Sequence, residues 1–293
     1  MGNQVVLSEL REIPLLLFLW KWKVSTTAAI IKKFFPNCKG KTAYNRILAL
    51  RQAGLIQVRS DCGGQKFICA LDQKGFDHIR TKLPHADMKA FKSEHMGHDL
   101  LVAAFHMGNW LLNTPQGVDF FSEQQLRHTR DEHYPSWVPK SATHRPDGYT
   151  RLIMANQPVT VAIEVELSHK TDAEYLRIAE HYDLFRTVAR VFWLVPRKAT
   201  AHTLHSKMKA ATRRQPFPHN FVVFEEFQTR GWDSQIIIGP DEGKTLSDFY
   251  SEVCQQSARL PPDSCLAHAL LDLRKCPHIA ITYRGYELGD FPT

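Results

Sequence analysis

Between Ile13 and Ser60 the chain contains no Asp or Glu but nine Lys or Arg: Lys21, Lys23, Lys32, Lys33, Lys39, Lys41, Arg46, Arg51 and Arg59. The order of elements beneath those charges limits the fold further. Leu10 to Trp22 is an apolar-rich helix. Ser25 is placed to N-cap a second helix that reaches about Phe35, where Pro36 ends it. Asn37-Cys38-Lys39-Gly40 makes a turn, and Lys41 to Ala53 is a third helix with Ala43, Ile47 and Leu50 on one face. Gly54 closes it as a C′ residue. Leu55–Arg59 and Lys66–Leu71 are then two strands joined by Ser60-Asp61-Cys62-Gly63-Gly64-Gln65.

Helix, helix, turn, helix, hairpin is the pattern of a winged helix-turn-helix. Such modules lay the third helix in the major groove and touch the backbone with the hairpin tip. An acid-free cationic surface suits a polyanion, because each phosphate contact releases condensed counterions. The expected contacts to double-stranded DNA are Lys39, Lys41, Thr42, Tyr44, Asn45, Arg46 and Arg51, with Arg59, Gln65 and Lys66 on the wing. The plainer readings are a solvated basic surface and a winged helix that binds protein.

Asp72 to Leu83 adds a helix, and Pro84-His85-Ala86-Asp87 marks a boundary between a module of residues 1–84 and a domain of residues 85–293. The charge changes near there. Residues 1–92 hold 16 Lys/Arg and 6 Asp/Glu, while residues 93–293 hold 21 and 24. The overall +7 therefore averages a strongly basic part and a mildly acidic one.

Several classes are excluded as expectations. The longest apolar run, Ile13 to Trp20, is too short to span a bilayer and lacks the flanks of a signal peptide, so no membrane role is expected. The six cysteines form no CxxC pair and are read as reduced thiols of a cytoplasmic protein. His95 and His98 share a helix spacing, but no HExxH accompanies them. Gly239-Pro240-Asp241-Glu242-Gly243-Lys244-Thr245 is one residue short of a phosphate-binding loop, and its two acids would face phosphate. It is read as a turn and helix start.

The informative stretch of the larger domain is His144-Arg145-Pro146-Asp147-Gly148, then Tyr149–Ala155, a turn at Asn156-Gln157-Pro158, and Val159–Leu167. Both flanks are β-like, so this is a hairpin. Glu164 and Glu166 are two apart on its second strand and share a face, while Ile163, Val165 and Leu167 take the other. Like charges side by side on a buried strand are costly unless a cation compensates them. With Asp147 from the paired strand, the set suits Mg²⁺ or Mn²⁺, whose bound water attacks phosphodiesters. The alternative is an exposed hairpin whose alternating acids face water.

Pro146-Asp147, sixteen intervening residues and Glu164-Val165-Glu166 resemble the PD-(D/E)XK nuclease superfamily. The following amphipathic helix, Thr171 to Ala189, carries Tyr182 where many members place a tyrosine, and Val191–Val195 would continue the sheet. The resemblance covers about residues 93–197. Joined to a winged helix, it is similar to replication-relaxation and mobilisation-type proteins of plasmids and mobile elements, through His98-Asp99-Leu100-Leu101-Val102 and Glu164-Val165-Glu166-Leu167-Ser168. It implies an α/β, restriction-endonuclease-like mixed-sheet fold. It also implies a DNA endonuclease or nickase in which Asp147 and Glu164 hold the metal, helped by the Val165 carbonyl. Glu166 would activate water and Lys170 would stabilise the phosphate charge. Glu94, on the first helix of the domain, is a further candidate ligand, beside its ordinary reading as a first-turn acid.

One departure divides the functional readings. The superfamily's usual motif Lys is Glu166 here, with Lys170 as a migrated cation. Some restriction enzymes of this fold have Glu at that place and are active; other members with eroded motifs are inactive DNA-binding scaffolds. The second reading is accordingly an accessory factor for plasmid replication or a transfer origin, with a relaxase or replication protein as partner, and the third is a transcriptional regulator. In residues 198–293, Lys198–Arg214 is a basic helix, Phe221–Phe227 and Gln235–Ile238 are strands, and Ser264–Lys275 is a late helix. This part either completes the sheet or forms a homodimer contact.

Overall fold

The protein is described from a computed structural model, which covers residues 5–60, 67–83, 92–111, 114–115, 117–141, 143–154, 157–213 and 215–254. The wing tip with Gln65 and Lys66, the boundary at Pro84, Asn156 and the late helix lie outside those residues, while Gln157 and Pro158 of the expected turn already pair within the hairpin, opposite Met154 and Ile153.

The N-terminal part runs α1 (Glu12–Trp22), β1 (Val24–Thr26), α2 (Thr27–Phe34), α3 (Gly40–Gln52), β2 (Ile56–Ser60), β3 (Phe67–Leu71) and α4 (Gln73–Ile79). β2 and β3 form the expected antiparallel wing. No local pattern announces β1, which adds a third strand in the order β1-β3-β2. That addition corrects the capping assignment. Ser25 pairs opposite Cys69, and Thr26 instead caps α2 by accepting from the Ala29 N–H at 3.2 Å. α3 ends as expected: Gly54 has φ +72, its N–H donates to Arg51 O, and Leu55 N–H donates to Leu50 O. Those are the paired bonds of a Schellman cap.

The larger part contains α5 (Met96–Met107), β4 (Asp119–Ser122), α6 (Glu123–His128), β5 (Gly148–Met154), β6 (Gln157–Val165), α7 (Asp172–Leu184), β7 (Val188–Val195), α8 (Lys198–Ala211), β8 (His219–Val223), α9 (Phe224–Arg230), β9 (Ile236–Ile238) and α10 (Leu246–Cys254). Its six strands lie in sequence order, β4 to β9. β5–β6 is the expected antiparallel hairpin, β6, β7 and β8 are parallel, and β9 returns antiparallel. This is the mixed α/β sheet the sequence implied, and β8 and β9 complete its edge. Among the described residues no helix is long and apolar enough to cross a membrane.

Two boundaries moved. The helix after the hairpin stops at Leu184, because Val188 already enters the sheet opposite Thr160. Phe221–Phe227 is not one strand: it turns helical at Phe224, which buries Phe224 and Phe227 at helical spacing. An unbroken apolar run does not distinguish the two conformations.

Each sheet face is covered. α7 and α8 bring Tyr175, Ile178, Tyr182, Leu204 and Met208 onto Trp193, Val191 and Tyr149. α5, α9 and α10 cover Ile163, Val165, Phe192 and Leu194 on the other side, and Trp22, Val24, Ala29 and Ile68 of the N-terminal part join that core. Asp241, in the loop set aside as a phosphate binder, is buried and accepts from Arg190 Nε (2.6 Å) and Asn220 Nδ2 (2.8 Å), so it acts as a structural anchor.

Candidate active site

Asp147 is placed by the residue that follows it. Gly148 opens β5 with φ +150, and a Cβ there would stand 2.5 Å from His106 Nε2 and 2.9 Å from Phe121 O. Glycine alone lets the chain pass that close. His106 is fully buried, contacts Thr150 Oγ1 at 3.1 Å, and burial pushes its pKa down to about 3, so it packs there as a neutral ring. Asp147 is then fixed across the hairpin: its N–H donates to Ile163 O (3.1 Å) and its Oδ2 accepts from Val165 N–H (2.6 Å).

Glu164 and Glu166 are both buried, on the face opposite Ile163 and Val165. Exposed alternating acids are thereby ruled out for these two. Glu164 Oε1 accepts from His144 Nε2 (2.6 Å) and from the Tyr182 hydroxyl, and the burial of Tyr182 and the charge of Glu164 hold that phenol well above its ordinary pKa. Glu166 lies just past β6, where its N–H donates to Leu194 O at 2.9 Å. Its Oε2 accepts from Lys170 Nζ, while its Oε1 is buried without a hydrogen-bond partner.

The titration behaviour separates these acids. Burial raises the Glu166 pKa; Lys170 lowers it in part, and Glu164 and Asp147 add to the rise. For Asp147 burial also works upward, but His98 and the Val165 N–H outweigh it and the carboxyl is held below its ordinary value. Lys170 is pulled down by burial and raised more strongly by Glu166, Glu164 and Asp147. His98 follows the same logic: burial opposes its charge, and Asp147 and Asp99 raise it well above the ordinary histidine value.

Asp147, Glu164, Glu166 and Lys170 line one cavity of about 470 Å³. Glu94 lies on its rim, exposed, and ahead of α5 rather than on it, which corrects its expected place. The same wall carries residues to which the sequence assigns no role at the site: Lys23, Asp99, Glu123 and His144. His144 lay in plain view, three residues before Asp147, but its spacing marks no role. Lys23 and Asp99 are 76 positions apart, so no local pattern joins them.

The donor set fits Mg²⁺ or Mn²⁺ chemically. Six carboxylates line the cavity against four Lys or Arg, all are hard oxygen donors, and Glu166 Oε1 is an orphaned acceptor. Asp147, Glu164 and Glu166 each already accept from protein donors, however, and among the described residues no three His, Cys, Asp or Glu side chains form a ready cluster.

On the basic module, Lys39, Lys41, Thr42, Asn45 and Arg51 are exposed along α3, and Arg59 is exposed on the wing strand. Tyr44 is half-buried, its ring 6.1 Å from Phe67. Arg46 is turned inward: Nε donates to the fully buried Glu12 at 2.8 Å, and the guanidinium also reaches Val6 O.

The chain matches no family model and no curated protein. Among solved structures, the restriction endonuclease FokI is similar over 72% of this chain and 41% of its own, at 13% identity and a TM-score of 0.25. This chain thus spans about two fifths of that structure's length.

Proposed function

We propose that this protein is a divalent-metal-dependent DNA endonuclease or nickase of a plasmid or other mobile element, brought to duplex DNA by its winged helix. The observation that carries this reading is the gathering of Asp147, Glu164, Glu166 and Lys170 around one cavity, with Glu166 Oε1 buried and unpaired. Asp147 and Glu164, with the Val165 carbonyl, would hold Mg²⁺ or Mn²⁺. Such an ion, when bound, polarises a phosphoryl oxygen and lowers the pKa of water. Glu166 is suited to accept the proton of the attacking water at Oε1, because its raised pKa brings a carboxylate nearer to working pH. Lys170 remains protonated, holds Glu166 by its other oxygen, and supplies positive charge toward a phosphate. His144 and Tyr182 both donate to Glu164 Oε1 and so fix that carboxylate.

DNA recognition is assigned to Lys39, Lys41, Thr42, Asn45 and Arg51 on α3, with Arg59 beside them and Lys66 on the wing. The test is incubation of supercoiled plasmid with Mg²⁺ or Mn²⁺. Nicking or cutting by the wild type, abolished in Glu164→Ala, is the expected result. No cleavage by the wild type across varied DNA, or full activity in Glu164→Ala, would overturn the reading.

One observation favours a second reading. Glu166 stands where the resembled superfamily has Lys, and the other carboxylates already have protein partners. A non-cleaving DNA-binding accessory factor, acting with a relaxase or replication protein in the cytoplasm, would need no more. Retained biological activity in an Asp147→Ala, Glu164→Ala double variant would favour it.

A further inference from the structure

We infer that Lys23 is a positioning residue for the carboxylate cavity, acting through Asp99 and His98 on Asp147; the inference rests on the metal-site reading of that cavity. Lys23 belongs to the basic module, yet it lines the cavity wall. It follows the last residue of α1 with φ +63 and ψ −42, and it is the one non-glycine with positive φ among the described residues. Such a backbone persists only where the surroundings over-determine it, and it recurs at functional sites.

Two acids, the buried Asp99 and the half-buried Glu123, hold its ammonium. Lys23 Nζ lies 2.7 Å from Glu123 Oε2 and 3.1 Å from Asp99 Oδ1, with the three side chains only 13%, 13% and 6% exposed. Asp99 Oδ1 in turn stands 3.8 Å from His98 Nδ1. The opposite ring nitrogen, His98 Nε2, is 3.1 Å from Val165 O and 3.5 Å from Asp147 Oδ1. Those last two groups belong to the donor set assigned to the ion.

The imidazole is thus hydrogen-bonded to Val165 O through Nε2 and stands between the charges of Asp147 and Asp99, so that its seat beside Asp147 is biased by where Asp99 stands. Outer partners of this kind orient inner ligands. Arg127 is held by Glu123 and Lys170 by Glu166, so neither replaces Lys23 beside Asp99. Lys23 thus passes the seating of the basic module on to the geometry around Asp147.

The experiment is a calorimetric titration of the full chain with Mn²⁺, comparing wild type, Lys23→Met, Lys23→Arg, Asp99→Asn and the Lys23→Met, Asp99→Asn double variant, with melting temperatures measured alongside. Removing a cation near a metal site would tighten Mn²⁺ binding by Coulomb's law alone. Positioning has the opposite sign: Lys23→Met is expected to loosen Mn²⁺ about tenfold, the lower end for outer-shell changes. Lys23→Arg should retain most of the affinity, and the double variant should bind no more weakly than Asp99→Asn, since both act through one path.

Unchanged or tighter Mn²⁺ binding in Lys23→Met, or additive losses in the double variant, would overturn the inference. A lowered melting temperature with Mn²⁺ affinity intact would do the same, as it marks a purely structural role. Wild type that binds no Mn²⁺ would overturn the metal-site reading and this inference with it. If Lys23→Met does not fold, Asp99→Asn carries the test: it is expected to loosen Mn²⁺ to a similar degree, and unchanged affinity contradicts the relay.

Discussion

The acid-free run from Ile13 to Ser60 divides into two regions that the sequence makes look alike. Around α3, Lys39, Lys41 and Arg51 are exposed, as a surface built for a polyanion requires. Around the α1–β1 turn, the cations are turned into the molecule. Lys21 Nζ donates to Phe120 O at 2.6 Å, Lys33 Nζ to Leu111 O at 2.6 Å, and Lys23 pairs with Asp99 and Glu123. The larger part supplies the acceptors that the run itself lacks. Local charge composition thus overstates the exposed cationic surface, and part of that charge joins the basic module to the sheet.

The comparison breaks most sharply at Lys23 and Lys41. Removing one partner of a buried ion pair costs about 3–5 kcal/mol, whereas exposed substitutions stay within about 0.5 kcal/mol. Urea denaturation of Lys23→Ala is therefore expected to show a loss near the lower figure, and Lys41→Ala almost none. Equal losses would erase the distinction. Arg46 should behave like Lys23 despite its place on α3, because it neutralises the buried Glu12 with Arg11. For Arg46→Ala a destabilisation of about 2–3 kcal/mol is expected, within the range for a charged group left without its hydrogen-bond partner.

DNA binding should order these residues the other way. Each lost phosphate contact reduces the salt slope of log K by about 0.9. Lys41→Ala is expected to lower the slope by about that amount on nonspecific duplex, and Lys33→Met to leave it unchanged.

The smallest effect concerns pH. Burial pulls the Lys21 pKa from its ordinary value down to about 8, with Asp119 opposing, whereas Lys23 is pulled down by burial but raised above its ordinary value by Asp99 and Glu123. Between about pH 8 and the ordinary lysine pKa near 10.4, Lys21 is protonated in the unfolded chain and neutral in the folded one, so it makes stability rise with pH. Lys23 makes no such contribution there; its stabilisation is complete below the ordinary lysine pKa and is lost only above its raised value. Urea midpoints measured from pH 7.5 to 10 should climb more steeply in wild type than in Lys21→Met.

What the sequence carried follows from the range of each interaction. The winged-helix order, the Gly54 cap and the β5–β6 hairpin are short-range patterns, and each appears in place. The shared face of Glu164 and Glu166 follows from strand alternation alone. β1 is only three residues long, and nothing local announces its pairing with β3. The turn to helix at Phe224 is not legible, because apolar runs fit helix and strand alike. The inward turn of Arg46, and the path from Lys23 through Asp99 to Asp147, depend on contacts between distant segments. At the candidate site, the carboxylates are visible from spacing, while nothing local marks His144 as the partner of Glu164 or Lys23 as the partner of Asp99 and Glu123.

The central claim, that the buried carboxylates form a divalent-metal site, is tested most directly by titrating the full chain with Mn²⁺ in wild type and Glu164→Ala. Saturable binding is expected in the wild type and is lost in Glu164→Ala while the fold, followed by circular dichroism, is retained. Equal binding by both proteins, or none by the wild type, would contradict it.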